Sequence, residues 1–496
     1  MDIQAYRLKR QLTQEELAEA LGVTNVTISK WENGQAQPSE KHMTKLKSIS
    51  IDEQMKVVPF RPIQYLGSKL KLLTAIEVLV EQVAKEGRFC DLFAGSGVVS
   101  SYMANKHNVT ACDIQEYSAI LTSSLLHRST LDHQGMAMFL KKVNDTFMLI
   151  DKSIVSLIEY EELLLDKASN GDSDLLVNFS TCASLYTTKV NPIQIENEDA
   201  KLKSLISDVI SLKDIESLQT LYLYGGVYFS YRQALLIDLV RQSADKLKNA
   251  DDRSIVISSL LSACSEIVNT VGKQFAQPMK LTNTKGEIKK LQLSRTIQNK
   301  SFDVLGKINK AFISFLSAQQ HISKSDNHEV ICSDVFDFLE NYDKEVGCFY
   351  ADPPYTTDHY SRFYHVLETI ALYDSPSLSF MNKKGIRVIM NGLYRTDRHQ
   401  SEFCVPSSSI NAFDKLFAGC SKFNAPLIVS YSPFDADNNE RSRLLSEDKI
   451  EQIARKYYSK VSFVHNESHK HRKLHSNKNN VDSIKHSEMF IVCEMK

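Results

Sequence analysis

The chain has 496 residues, enough for roughly two to four domains, with 43% hydrophobic and 24% charged residues, so it can bury a large core and stay soluble. A formal net charge of −1 excludes a globally basic nucleic-acid binder but not a local basic face. No apolar run approaches the ~18–20 residues of a membrane span. The start, Met1-Asp2-Ile3-Gln4, has no basic leader or apolar core, and the nine cysteines are dispersed without Cys-x-x-Cys pairs. A cytoplasmic chain with reduced thiols is expected.

Residues 1–50 read as a small all-α unit. Thr13 is placed to cap a helix with Glu16 three residues on, and Leu17, Ala18 and Leu21 form an apolar stripe. Gly22-Val23-Thr24 makes a tight turn, and Val26, Ile28 and Trp31 begin a second helix that stops at Asn33-Gly34. An ordinary helical hairpin is the competing reading. The stretch "LTQEELAEALGVTNVTISKWENG" resembles the Cro/repressor-type (XRE) helix-turn-helix family. The resemblance implies a recognition helix over Asn25–Glu32, with Asn25, Thr27, Ser29 and Lys30 facing DNA and Gln14 near a phosphate.

Residues 51–60 read as a linker. Short apolar runs then alternate with helical stretches: Arg88–Ala94, Val109–Ile114, Val330–Val335, Val346–Ala351, Leu427–Tyr431 and Met489–Cys493 are expected as buried strands of an α/β sheet. Between Thr130 and Asp326 the pattern is mostly helical, as in Tyr231–Lys248 and Ser254–Thr270.

The run Arg88 to Gly97 is a strand entering a Gly-rich turn, with a helix expected from Val98. Glycine is needed there so that the backbone can bend sharply and a ligand can approach closely. The next strand ends in Asp113, an acid about 20 residues on that can accept bonds from ribose hydroxyls. The loop, Asp91 through Phe93, Gly95 and Gly97, lacks both the Walker lysine and the third glycine of a dinucleotide fingerprint. Asp91 would repel a pyrophosphate but could hold an ammonium group. A ligand with ribose, adenine and an amino-acid tail satisfies both constraints, and S-adenosylmethionine has all three.

Further on, the strand ending in Ala351 delivers Asp352-Pro353-Pro354-Tyr355 at its C-terminal end, where ligands of open α/β sheets sit. Two prolines rigidify this turn and leave backbone carbonyls free to accept. Asp352 and the Pro353 carbonyl could stabilise an amine that develops positive charge, and Tyr355 offers a face for an extruded base. For the tetrad alone, a structural turn competes with this reading.

Together these segments resemble the Dam-like, alpha-group class of N-6 adenine DNA methyltransferases. "QYLGSKLKLL" (Gln64–Leu73), "DLFAGSG" (Asp91–Gly97), "CSDVFDFL" (Cys332–Leu339) and the tetrad follow that family's order, while the helical insertion matches only through fragments such as "YFSYRQALLID". The resemblance implies that Tyr65, Gly67 and Lys69 line the cofactor's methionine end and that Asp334 lies by its adenine ring. Asp rather than Ser at the head of the tetrad suggests adenine over cytosine-amine methylation. No Pro-Cys dipeptide exists for ring-carbon methylation.

The expected organisation is therefore a helix-turn-helix domain (1–50), a linker (51–60), the first part of a Rossmann-like methyltransferase domain (61–130), a largely helical target-recognition insertion (131–326) and the second part of the catalytic domain (327–496). Two basic stretches are candidate DNA surfaces. One holds Lys285, Lys289, Lys290, Arg295 and Lys300 around a turn at Asn283–Gly286. The other holds Lys470, Arg472, Lys473 and Lys478 within His465–Asn480. A solvated charged hairpin competes with each. No metal is expected, although His465, His469, His471 and His475 could be read as ligands. The expected partners are double-stranded DNA, as target and as an operator for the helix-turn-helix, and a separate cognate restriction endonuclease. A transcription regulator with a cofactor-sensing, methyltransferase-like domain is the alternative.

Overall fold

The computed structural model describes residues 3, 14–21, 23–32, 35–39, 42–43, 60–190, 200–322, 327–354, 360–383, 385–431, 444–466 and 488–495. The chain divides into two units, Met1–Pro59 and Phe60–Lys496.

In the first unit the expected helices form over Gln14–Leu21 and Asn25–Glu32. Leu17, Ala18 and Leu21 bury against Ile28 and Trp31 because the i, i+4 spacing puts them on one helix face. Thr24 caps the second helix, its Oγ1 accepting from the Thr27 amide (3.3 Å). Thr13 lies outside the described residues.

The second unit is built on nine strands: β1 (Arg88–Asp91), β2 (Val109–Asp113), β3 (Glu329–Cys332), β4 (Val346–Ala351), β5 (Phe380–Lys383), β6 (Ile386–Ile389), β7 (Leu427–Tyr431), β8 (Lys460–Asn466) and β9 (Glu488–Glu494). Seven of them make one sheet in the order β3-β2-β1-β4-β7-β9-β8. The pairs β3/β2, β2/β1, β1/β4 and β4/β7 are parallel, and β9 is antiparallel to both β7 and β8. β1, β4 and β7 are buried along their whole length, which is why they read as unbroken apolar runs. β1 stops at Asp91 rather than at the expected Ala94. There the chain leaves the ladder and folds into a turn closed by the Gly97 amide on the Ala94 carbonyl (2.8 Å).

The chain steps outward from β1 to β2 and β3, then returns to lay β4 on the other side of β1. The order reverses between β1 and β4, so a crevice opens beyond their carboxyl ends. β8 and the β5/β6 hairpin, turned at Gly385 (φ +83°), were not anticipated from the sequence.

Between β2 and β3 the chain is helical, from His133–Phe147 to Val304–Ala318. These helices share one core, in which Phe179, Tyr224, Tyr228, Tyr231, Phe312 and Phe315 are fully buried. That core also takes Tyr117, Leu121 and Leu125 from the helix Glu116–Leu126, and Tyr364, Leu367 and Ile370 from the helix Tyr360–Leu372. The described residues Asp352, Pro353 and Pro354 follow directly on β4, at its carboxyl end. Lys300, read as part of a basic surface, is instead inside this core. Its Nζ lies 2.7 Å from Glu161, with side-chain exposures of 2% and 1%, and it also donates to the Gly226 carbonyl. A charge so placed is held by its partners and does not reach DNA.

Candidate active site

The crevice beyond β1 and β4 is a cavity of about 420 Å³, within the ~300–1,000 Å³ typical of small-molecule sites. Tyr65, Gly67, Lys69, Phe93, Gly95, Asp113, Asp334, Asp352, Pro353 and Pro354 all line it. Segments scattered over nearly 300 positions of the chain are thereby brought to one wall. Tyr355 lies outside the described residues, and Asp91 and Gly97 are not on the wall.

Backbone geometry accounts for the two glycines. Gly95 and Gly97 have φ of +55° and +74°, which side-chain-bearing residues rarely adopt. A Cβ on Gly95 would stand 2.9 Å from the Tyr65 ring, and one on Gly97 would stand 2.7 Å from Thr122 Oγ1. Tyr65 cannot easily yield, because its ring stacks on Tyr364 (5.1 Å between centroids, 13°). The Tyr364 hydroxyl also accepts from the Leu66 amide (2.8 Å). The segment before the glycine loop is thus pinned over it.

Asp113 organises the floor. One carboxylate oxygen accepts from the Gly95 amide (2.8 Å), the other from the Gln115 amide (2.9 Å). Burial raises its pKa above the ordinary carboxylate value while these amides pull it down. Nearby, Glu368 caps the helix Glu116–Leu126 from a distant segment, accepting from the amides of Glu116 and Tyr117 (both 3.0 Å). Desolvation pushes its pKa up to about 7. Asp334 caps Val335–Asn341, its Oδ1 accepting from the Phe336 amide (2.8 Å).

Beyond the end of β4, Lys69 Nζ lies 2.9 Å from Asp352 Oδ2, with side-chain exposures of 4% and 20%. It also donates to the Gly67 carbonyl (3.2 Å). The lysine expected at a cofactor's tail is therefore the counter-ion of the tetrad's acid. Asp91, 1% exposed, sits behind the wall. Its Oδ2 accepts from Ser100 Oγ (2.6 Å), and its buried Oδ1 has no hydrogen-bond partner among the described residues. Desolvation, reinforced by the charge of Asp352, lifts its pKa to about 7, against the opposing Ser100 bond.

An aromatic wall forms where three distant segments meet. Phe403 meets Phe93 edge-on (5.5 Å, 89°) and stacks with Phe336 (5.8 Å, 22°). Lys415 Nζ lies 5.0 Å from the Phe336 ring centroid. Phe336 falls inside "CSDVFDFL" and could have been singled out there. Phe403 lies in a 3-10 turn with no local signal.

The cavity itself offers a glycine cradle that a Cβ would fill, an acid at a strand end, and aromatic rings on which a base could stack, a set compatible with a nucleoside-bearing ligand.

The expected DNA-facing residues divide. Asn25 and Lys30 are exposed, whereas Gln14 donates to Glu32 (2.6 Å) and the Thr27 hydroxyl pairs with that of Thr24 (2.9 Å). Lys285 and Lys290 are exposed and Lys289 half-buried, beside a turn in which the Gly286 amide meets the Asn283 carbonyl (3.1 Å). Lys470, Arg472, Lys473, Lys478 and the histidines His469, His471 and His475 lie outside the described residues. Among the described residues no helix is long and apolar enough to cross a membrane.

Comparison with known proteins gives two family matches. A helix-turn-helix profile matches residues 3–46. The profile described as D12 class N6 adenine-specific DNA methyltransferase matches residues 65–153 and 293–424, interrupted within the helical insertion. The chain is similar to the modification methylase LlaI of Lactococcus lactis subsp. lactis, at 24% identity over 74% of this chain and 46% of that protein. It thus spans about half the length of that relative. It is also similar to the type II methyltransferase M.NlaIII of Neisseria lactamica, at 23% identity over 71% of this chain and 78% of that protein. A shorter stretch, 22% of this chain, is 30% identical to 56% of the HTH-type transcriptional activator BcrR of Enterococcus faecalis. The sheet order, the cavity and these matches agree: the chain carries a domain of the D12 class N6 adenine-specific DNA methyltransferase family, preceded by a helix-turn-helix domain.

Proposed function

We propose that this chain is a site-specific DNA adenine methyltransferase that uses S-adenosylmethionine to modify the 6-amino group of a flipped adenine. The observation that carries the reading is the meeting of the glycine loop and the Lys69–Asp352 pair in one cavity at the reversal of strand order. Bound there, the cofactor supplies a methyl group on a sulfonium. Asp113 would accept from the ribose, Phe93, Phe336 and Phe403 would enclose the adenine beside Asp334, and Asp91 Oδ1 would take the ammonium. Tyr65, Gly67 and Lys69 would border the methionine end.

The target amine develops positive charge as it gains the methyl. Asp352 and the Pro353 carbonyl would accept its two N–H bonds and stabilise that charge in a site shielded from water. Lys69 holds the carboxylate in place. Pro354 stiffens the turn, and Tyr355 would stack on the extruded base, worth about 1–3 kcal/mol against the few kcal/mol that flipping costs. The residues proposed to bind DNA are Gln14, Asn25, Thr27, Ser29, Lys30, Lys285, Lys289, Lys290, Arg472 and Lys473. In this reading residues 1–50 bind an operator, 61–130 and 327–496 form the catalytic domain, and 131–326 select the target. The chain would be the modification enzyme of a restriction-modification system, and its helix-turn-helix would regulate its own promoter.

Purified protein given methyl-labelled cofactor with separate DNA and RNA pools should label adenine in DNA alone. Absence of label in DNA defeats the reading. Full activity in Asp352→Ala defeats the mechanism while leaving the substrate intact. Deleting residues 1–50 should spare methylation and abolish operator binding; a changed methylation specificity would reassign that domain.

A further inference from the structure

Arg362 and Arg398 come from different segments but share one aromatic ring. Their guanidinium carbons lie 5.1 Å and 4.7 Å from the centroid of Tyr394. The two charges therefore stand within about a Debye length of each other at physiological salt. Tyr394 is fixed between them: its hydroxyl donates to the Ala276 carbonyl and accepts from Arg362 Nη2 (3.2 Å).

Among the described residues neither guanidinium has a carboxylate partner. The acid next to Arg398 in sequence, Asp397, is committed elsewhere, since it receives Arg395 Nε (3.0 Å) and Nη2 (2.8 Å). Arg398 Nη1 is buried with no hydrogen-bond partner among the described residues. Behind the ring stands His365, 5.0 Å from Tyr394, with its Nε2 on the Phe275 carbonyl (3.1 Å). Burial and three neighbouring arginines push its pKa down to about 3, so it is neutral at physiological pH and offers the guanidiniums no counter-charge. Two crowded guanidiniums with an unused donor are costly unless an anion completes them.

Location identifies the anion. Ser361 and His399, the chain neighbours of the two arginines, line the catalytic cavity, so the pair stands beside its mouth. The Ala276 anchor leads into the turn that carries Lys285, Lys289 and Lys290. Planar guanidinium forks match phosphate oxygens.

Resting on the methyltransferase reading above, we propose that Arg362 and Arg398, splayed on Tyr394, clamp a DNA backbone phosphate next to the flipped adenine. The contact would hold the extruded nucleotide's strand at the cavity mouth while Asp352 engages the base.

The test combines charge removal on both sides. Full-length wild type and Arg362→Gln/Arg398→Gln are compared on a duplex carrying the mapped adenine, with native phosphates or with single neutral methylphosphonates at positions flanking it. One neutralised position should raise the wild-type KM about tenfold and leave the double variant, already weakened, unaffected. The variant's salt dependence of DNA binding should fall by about one to two phosphate contacts, its cofactor affinity should match wild type, and Arg362→Lys/Arg398→Lys should restore part of the loss. Equal sensitivity of variant and wild type to every methylphosphonate overturns the clamp. Should the double variant not fold, wild type indifferent to every neutralised flanking phosphate overturns it as well. If wild type methylates no DNA, the methyltransferase reading fails instead, and duplex binding measured by anisotropy with a mixed-sequence methylphosphonate series still decides the clamp.

Discussion

The ends of β1 and β4 lie side by side, Asp91 opposite Tyr350 in the ladder, and each end presents an aspartate to the same region. They have been given different chemistry. Asp352 reaches the cavity, keeps 20% of its side chain exposed and is matched by a lysine ammonium. Asp91 is withdrawn behind the wall and held by a serine hydroxyl, with one oxygen unanswered and a pKa near 7. Position at a strand end is thus necessary for either role and decides neither. In the proposed reading the paired, cavity-facing Asp352 serves the reacting amine, and the desolvated Asp91 serves a cation.

The contrast is broken most directly by replacing each acid with its amide. Asp352→Asn removes the charge from the atoms that face the developing cation and should lower kcat by about 10²–10³-fold. Asp91→Asn should leave kcat at saturating cofactor near wild type and raise the cofactor's Kd about tenfold. Steady-state kinetics and calorimetric cofactor titration separate the two, and a large kcat loss in Asp91→Asn would erase the distinction. Gly95→Ala comes next: its Cβ would meet the pinned Tyr65 ring in a left-handed backbone that costs a non-glycine residue about 1–2 kcal/mol. Cofactor affinity should drop by tenfold or more and the melting temperature should fall, with no help from added DNA. A smaller effect is expected of Phe336→Ala, which removes one face of the aromatic wall: a loss of about 1–2 kcal/mol in cofactor binding, read by the same titration, at unchanged kcat.

Features governed by local pattern were legible in the sequence. The glycine loop announced itself because glycine takes the +55° and +74° backbone at far less cost than other residues, and the central strands did because both faces are covered. The second N-terminal helix, expected between the Gly22-Val23-Thr24 turn and Asn33-Gly34, spans Asn25–Glu32. What the sequence hid depends on distant partners. Lys300 looks like a surface charge until Glu161, 139 residues away, is placed against it. Phe403, Arg362 and Arg398 carry no periodic signal, and only the packing of separate segments gives them a role. Helix starts carry local signals of their own. The helix beginning at Ala250 rather than Ser254 is capped by Asn249, whose Oδ1 accepts from the amides of Asp251 and Asp252. β8 is less legible, because Val464 beside Phe463 is apolar yet exposed and blurs the alternation.

The smallest expected effect tests the Asp91 side of the comparison without any substrate. Its pKa is near 3.8 when exposed in the unfolded chain and about 7 when folded. Between those values the folded protein keeps a proton that the unfolded chain has lost, so stability declines as pH rises from about 4 through about 7. Asp238 and Glu368, both also lifted to about 7 by burial, act with the same sign. Denaturant unfolding followed by circular dichroism at about pH 5 and about pH 8 should therefore show a lower midpoint at the higher pH, and a shallower decline in Asp91→Asn. Tryptophan fluorescence would miss this, since the single tryptophan, Trp31, belongs to the N-terminal unit. Identical pH slopes in variant and wild type would mean that Asp91 is charged in the folded protein throughout. An ammonium seated on Oδ1 should draw that charge out, so cofactor affinity should rise with pH through about 7 in wild type and stay flat in Asp91→Asn.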